Sequence, residues 1–157
     1  MCGNTPLQGK QANNYFRLHT DRCDCITLMC IQKAPAGGLS RIASIPKIHN
    51  TMVDNYPEEC ARLYKPYVRI WEGKDGYYPL PVWSIHEGKF TSQVSPSYIE
   101  NAQVLADFPD KYPDVPKYSE FEVDAVDLLE EIGCANSYDF MMEPGMVCCY
   151  VFFYLFF

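Results

Sequence analysis

The last twelve residues, 146–157, hold no charge, glycine or proline and are dense in aromatic and β-branched side chains, the types that suit a pleated, buried surface. Read with period two, Val147, Cys149, Val151, Phe153, Leu155 and Phe157 share one face, and Cys148, Tyr150, Phe152, Tyr154 and Phe156 the other. Both faces are apolar, which fits a strand covered on both sides. As a helix the stretch would span only about 18 Å against a hydrocarbon core of about 30 Å. The pattern therefore predicts a central C-terminal strand and not a membrane anchor.

The other elements are ordered around that strand. Residues 1–14 are polar and rich in Gly, Asn and Gln, as in a loose arm. Residues 15–19 and 25–31 read as two short strands, with Thr20-Asp21-Arg22 as the turn between them. Residues 34–38 break the chain, Asn50 or Thr51 is placed to cap a short helix, and Pro57 opens a helical turn through residue 64. A β-meander follows: a strand at 67–71, Tyr77-Tyr78 confined by Pro79 and Pro81 to an edge or loop, and a hairpin turning on Glu87-Gly88. Ser95-Pro96 opens a helix to 106, prolines make 108–118 an extended connector, and Ser119 caps a helix over 120–132 that Gly133 should end. The expected fold is a single α+β domain over 1–157, an antiparallel sheet with its buried C-terminal strand at the centre and two or three helices on one face.

Charge is divided unevenly along the chain. The net charge is −7, yet of 13 Lys and Arg only Lys111 and Lys117 lie beyond residue 99. This balance disfavours direct contact with nucleic acid or an anionic membrane. On the 120–132 helix, Glu120, Asp124, Asp127 and Glu131 fall on one stripe, with no basic residue between them to relieve their repulsion. Such a stripe is either a solvated face or a docking surface for a partner protein with a basic surface, a nucleic-acid-binding protein among the candidates. An exposed part of the C-terminal strand would also allow a homodimer.

Eight cysteines occur without a secretory signal pattern, so free thiols in the cytoplasm are expected and not disulfides. His19, Cys23, Cys25 and Cys30 form H-x3-C-x-C-x4-C, residue types that zinc accepts. The spacing lacks the paired C-x2-C knuckle, and a strand over 25–31 would turn Cys25 and Cys30 to opposite faces. No other cofactor is indicated.

Met1-Cys2-Gly3 resembles, over three residues, the opening of the N-terminal-cysteine amidotransferases. The glycine-rich and Asn/Asp patterns of those enzymes do not follow it, so their activity is not carried over. A cysteine nucleophile paired with His19, His49 or His86 is the enzymatic alternative; phosphate-binding and dinucleotide motifs are missing. Small size, acidity and abundant tyrosine favour instead a non-enzymatic, protein-binding inhibitor, of the kind encoded by viruses and phages against host defence or paired with toxins as immunity proteins. Its expected contact is the stripe Glu120, Asp124, Asp127 and Glu131.

Overall fold

The computed structural model describes residues 17–23, 25–71, 76–151 and 154–156. The expected arm at 1–14, the first two residues of the expected 15–19 strand, and Cys2 lie outside them. Strand β1 (Cys25–Met29) is followed by the Gly37-Gly38 break, where both glycines take positive φ, and then by β2 (Leu39–Ser44). Ser44 caps α1 (Ile45–Asn55), its side chain accepting from the Lys47 amide. Pro46 sits in the first turn, where the helix needs no N–H from it. That cap lies six residues ahead of the expected Asn50. Pro57 opens α2 (Pro57–Leu63) as its position foretold.

Strands β3 (Pro66–Ile70) and β4 (Tyr77–Pro81) pair, so the proline-bearing segment is indeed an edge strand. Strands β5 (Trp83–His86) and β6 (Lys89–Ser92) form the expected hairpin, with Glu87 at φ 50° and Gly88 at φ 74°. Helix α3 (Pro96–Leu105) and helix α4 (Glu120–Ala135) come next, followed by β7 (Ser137–Met141), β8 (Val147–Val151) and β9 (Tyr154–Phe156). All pairings are antiparallel: β1 with β8, β3 with β4, β5 with β6, and a three-stranded sheet in the order β7-β2-β9.

The fold is thus a mixture of helices and small antiparallel sheets, and the expected central C-terminal strand is corrected. Its residues split into β8, which among the described residues pairs with β1, and β9, at the edge of the three-stranded sheet. The middle strand of that sheet is β2, which pairs through Ile42 and Ala43 with both neighbours. Val147 at the head of β8 is 54% exposed. An apolar pattern on both faces signals that a strand can be covered, but does not say by which element.

The main core gathers Leu18, Ile45, Ile48, Met52, Leu63, Tyr67, Trp83, Val94 and Leu129 between α1, α2, α4 and the hairpins. Burying side chains of this size favours folding by about 1.5–3 kcal/mol each. Arg69 is wholly buried and donates to the carbonyls of Leu80 (2.6 Å) and Gln93 (2.7 Å), tying β3 to β4 and to the segment after β6. Burial lowers its pKa to about 10, so it stays charged at neutral pH. No helix among the described residues is long and apolar enough to cross a membrane.

Candidate metal centre

Residues 17–21 alternate in burial as an extended chain does. Leu18 and Thr20 are buried, Arg17 and His19 half-buried, and Asp21 exposed. Two anchors impose the alternation. Leu18 packs so closely on α4 that a Cβ added to Gly133 would lie 2.6 Å from its Cδ2. Thr20 donates its amide to the Val94 carbonyl at 2.9 Å, and its hydroxyl accepts from the Val94 amide at 3.0 Å. With 18 and 20 held inward, His19 and Asp21 fall together on the outer side, two residues apart.

The His19 ring is oriented by its own backbone. Nδ1 lies 2.9 Å from the Arg17 carbonyl oxygen. A carbonyl only accepts, so this contact assigns the proton to Nδ1 and the lone pair to Nε2 on the far edge of the ring. Arg17 is itself fixed: Nε donates to Glu130 Oε2 at 2.7 Å, a terminal nitrogen donates to Asp127 Oδ1 at 2.9 Å, and Glu100 of α3 completes the ion-pair cluster. Burial opposes the Arg17 charge, but the Glu130 and Asp127 carboxylates outweigh it and raise the guanidinium pKa.

A histidine and a carboxylate are two of the three donors in the two-histidine, one-carboxylate site that holds Fe(II) with open positions. Among the described residues no third His, Cys, Asp or Glu joins them. The chain has three histidines. His49 is engaged by the Tyr64 hydroxyl at 2.8 Å and lies between the Trp83 and Phe90 rings, while His86 is on the β5–β6 hairpin. The donor set therefore fits iron as a pair and not as a full triad.

The residues singled out from sequence are placed differently. Cys23 and Cys25 are exposed and Cys30 is half-buried, its thiol directed at the Met142 carbonyl. With His19 they do not converge into a group able to hold a metal. Glu120, Asp124, Asp127 and Glu131 are all exposed on α4, but Asp127 is engaged with Arg17 of its own chain. The carboxylate that matters most there, Glu130, lies off that stripe and is 7% exposed. Asp21 was assigned to a turn; the signal that finds it is the His-x-Asp spacing after a buried leucine.

Comparison with known proteins gives these positions a context. Residues 3–150 match the family described as taurine catabolism dioxygenase TauD, TfdA family. FR-33289 synthase of Streptomyces rubellomurinus (strain ATCC 31215) is 27% identical over 148 residues, covering 88% of this chain and 41% of the synthase. An asparagine oxygenase solved with Fe(II), 2S,3S-3-hydroxyasparagine and succinate superposes with a TM-score of 0.65 at 15% identity, over 89% of this chain and 42% of that one. A taurine dioxygenase from Burkholderia xenovorans gives 0.62 at 17% identity, over 94% and 54%. The chain spans about two fifths of the length of the synthase it matches.

These findings correct several expectations at once. A dioxygenase family and dioxygenase folds overturn the non-enzymatic inhibitor, whether viral, phage-borne or immunity-type, and the view of the chain as no enzyme. Membership of a dioxygenase family also overturns the basic partner protein expected to dock on the acidic stripe. The cofactor-free expectation, with zinc as its only exception, is overturned, since TauD-like dioxygenases use Fe(II) and 2-oxoglutarate. Composition points to a binder because acidity and exposed tyrosine are surface properties, silent about the chemistry that a few residues on one segment could carry. With 3–150 matched, the chain belongs to the TauD/TfdA family of dioxygenases.

Proposed function

We propose that this chain carries the first two iron ligands, His19 and Asp21, of an Fe(II)- and 2-oxoglutarate-dependent oxygenase acting on a small molecule. The observation that carries the reading is the pinning of Leu18 and Thr20, which sets His19 and Asp21 on one side with the His19 proton on Nδ1. Bound Fe(II) would supply dioxygen activation, with the balance R–H + O2 + 2-oxoglutarate → R–OH + succinate + CO2. His19 Nε2 and the Asp21 carboxylate would hold the ion. The buried Leu18 and Thr20 fix the backbone on either side of His19, and the Arg17 carbonyl would keep the imidazole proton on Nδ1, leaving Nε2 as the donor. Among the described residues no third His, Cys, Asp or Glu joins the pair, so the proposal concerns these two ligands. A cytoplasmic setting suits cysteines that form no disulfide among the described residues.

Anaerobic equilibrium dialysis against Fe(II) tests the ligand pair. His19→Ala and Asp21→Ala should each weaken binding by tenfold or more, with His86→Ala unchanged as the control. Equal binding by all four proteins would remove the pair from the site.

A further inference from the structure

Helix α4 reaches the candidate iron ligand through a single peptide unit. The Arg17–Leu18 peptide presents its carbonyl to His19 Nδ1 at 2.9 Å and its N–H to Glu130 Oε1 at 3.4 Å. A trans peptide is planar, with its C=O and N–H pointing in opposite directions, so fixing one end fixes the other. The second oxygen of the same carboxylate accepts from Arg17 Nε at 2.7 Å. One buried carboxylate therefore grips both the side chain and the peptide plane of the residue that orients His19.

From this geometry we propose that Glu130 is a positioning residue for His19, acting through the Arg17–Leu18 peptide.

Three observations separate this from an ordinary surface ion pair. The Glu130 side chain is only 9% exposed, so its charge is sheltered from solvent screening and needs a partner. Arg17 is held from two helices, by Glu100 on α3 and by Asp127 and Glu130 on α4, which leaves its main chain little freedom to turn. A charged acceptor on the N–H also polarises the peptide, making its carbonyl a stronger acceptor for the imidazole proton. Metal-binding histidines ordinarily donate their second nitrogen to a carboxylate or a carbonyl. Here the two are arranged in series.

The inference rests on His19 being a metal ligand, but its first readout needs no metal. In the metal-free chain, imidazole 15N NMR should show wild-type His19 protonated at Nδ1. Glu130→Leu should move it toward the Nε2–H form, Glu130→Gln should fall between, and His86 should not change. Co(II) binding should weaken roughly 10–100-fold in Glu130→Leu, with partial recovery in Glu130→Gln. Should Glu130→Leu fail to fold, Glu130→Gln and Arg17→Gln carry the same test. A folded variant whose His19 tautomer matches wild type would overturn the proposal, since a merely structural clamp would lower stability and leave the ring proton in place. Wild-type protein that takes up no Co(II) would count against the iron reading alone, because the tautomer decides the positioning separately.

Discussion

Gly133 shows at the level of one residue how the site depends on packing beneath it. The sequence marks it as a helix terminator, yet α4 continues to Ala135 and Gly133 lies inside it, buried. A glycine there costs about 1 kcal/mol of helix propensity relative to alanine. Its compensation is room for Leu18, the residue between Arg17 and His19. The methyl of Gly133→Ala would meet Leu18 Cδ2 at 2.6 Å and Ile48 Cδ1 at 3.3 Å. Leu18 and Ile48 are both fully enclosed, so neither can swing away cheaply. Overpacking of this kind costs about 1–3 kcal/mol, which exceeds the propensity gain. Gly133→Ala should therefore be destabilised by about 1 kcal/mol in urea unfolding. Combined with Leu18→Ala it should lose less than the sum of the two single changes. Strict additivity would show that the contact is not the reason for the glycine.

Between elements, Glu122 joins the start of α4 to α2. Its carboxylate accepts from the Ser119 amide and hydroxyl, both at 2.9 Å, and from Arg62 at 2.7 Å. Burial pushes the Glu122 pKa up, but the Ser119 amide and Arg62 more than reverse this, and the group lies below its ordinary value of 4.5. A carboxylate depressed in the folded state stabilises the fold above its unfolded pKa, and that contribution is lost as pH falls through the folded value. Arg62→Gln should remove roughly 1–3 kcal/mol at pH 7 and flatten the decline in stability between pH 5 and 3. Parallel pH profiles for the variant and wild type would exclude this link.

The same element shows what the sequence made legible. Ser119 and the acidic stripe were readable from spacing, because they follow from cap chemistry and helical period. So were Pro57, Pro96 and the Glu87-Gly88 turn, which rest on local backbone constraints. Strand β2 was hidden because Leu39–Ser44 mixes Ser and Arg into a short run and draws its place from β7 and β9. The proposed ligand pair was hidden for a related reason. Leu18 and Thr20, which flank His19, are held by Gly133 and Val94, contacts more than seventy residues away in sequence.

Across the whole molecule, order is concentrated on the side of α1, α2 and α4, and the site segment runs from that side into a weaker one. Leu18 belongs to the main core, whereas no residue of β1 or β8 does among those described. The β1–β8 ribbon is two-stranded, an arrangement marginal by itself in water. Leu28, Met29 and Val147 on it are 47%, 63% and 54% exposed. Its far end is closed by Cys30 and Met146, through Cys30 N to Met146 O at 3.0 Å and Gly145 N to Cys30 O at 2.8 Å. With these three side chains left largely in water, that end of the ribbon has little to oppose local opening. Amide hydrogen exchange should therefore be fast over 25–29 and 147–151 and slowest in α1 and α4, with Thr20 grouped with the slow set through its Val94 bonds. Asp21 lies at the junction, one residue past that anchor, so its position should be held by Thr20 and not by the ribbon. Met29→Lys, which adds charge to the exposed face beside Val147, should leave exchange at Thr20 and in α4 unchanged. Slower exchange in β1 than in α4, or loss of protection at Thr20 in that variant, would mean that the ribbon supports the site and that its anchoring does not come from the helical side alone.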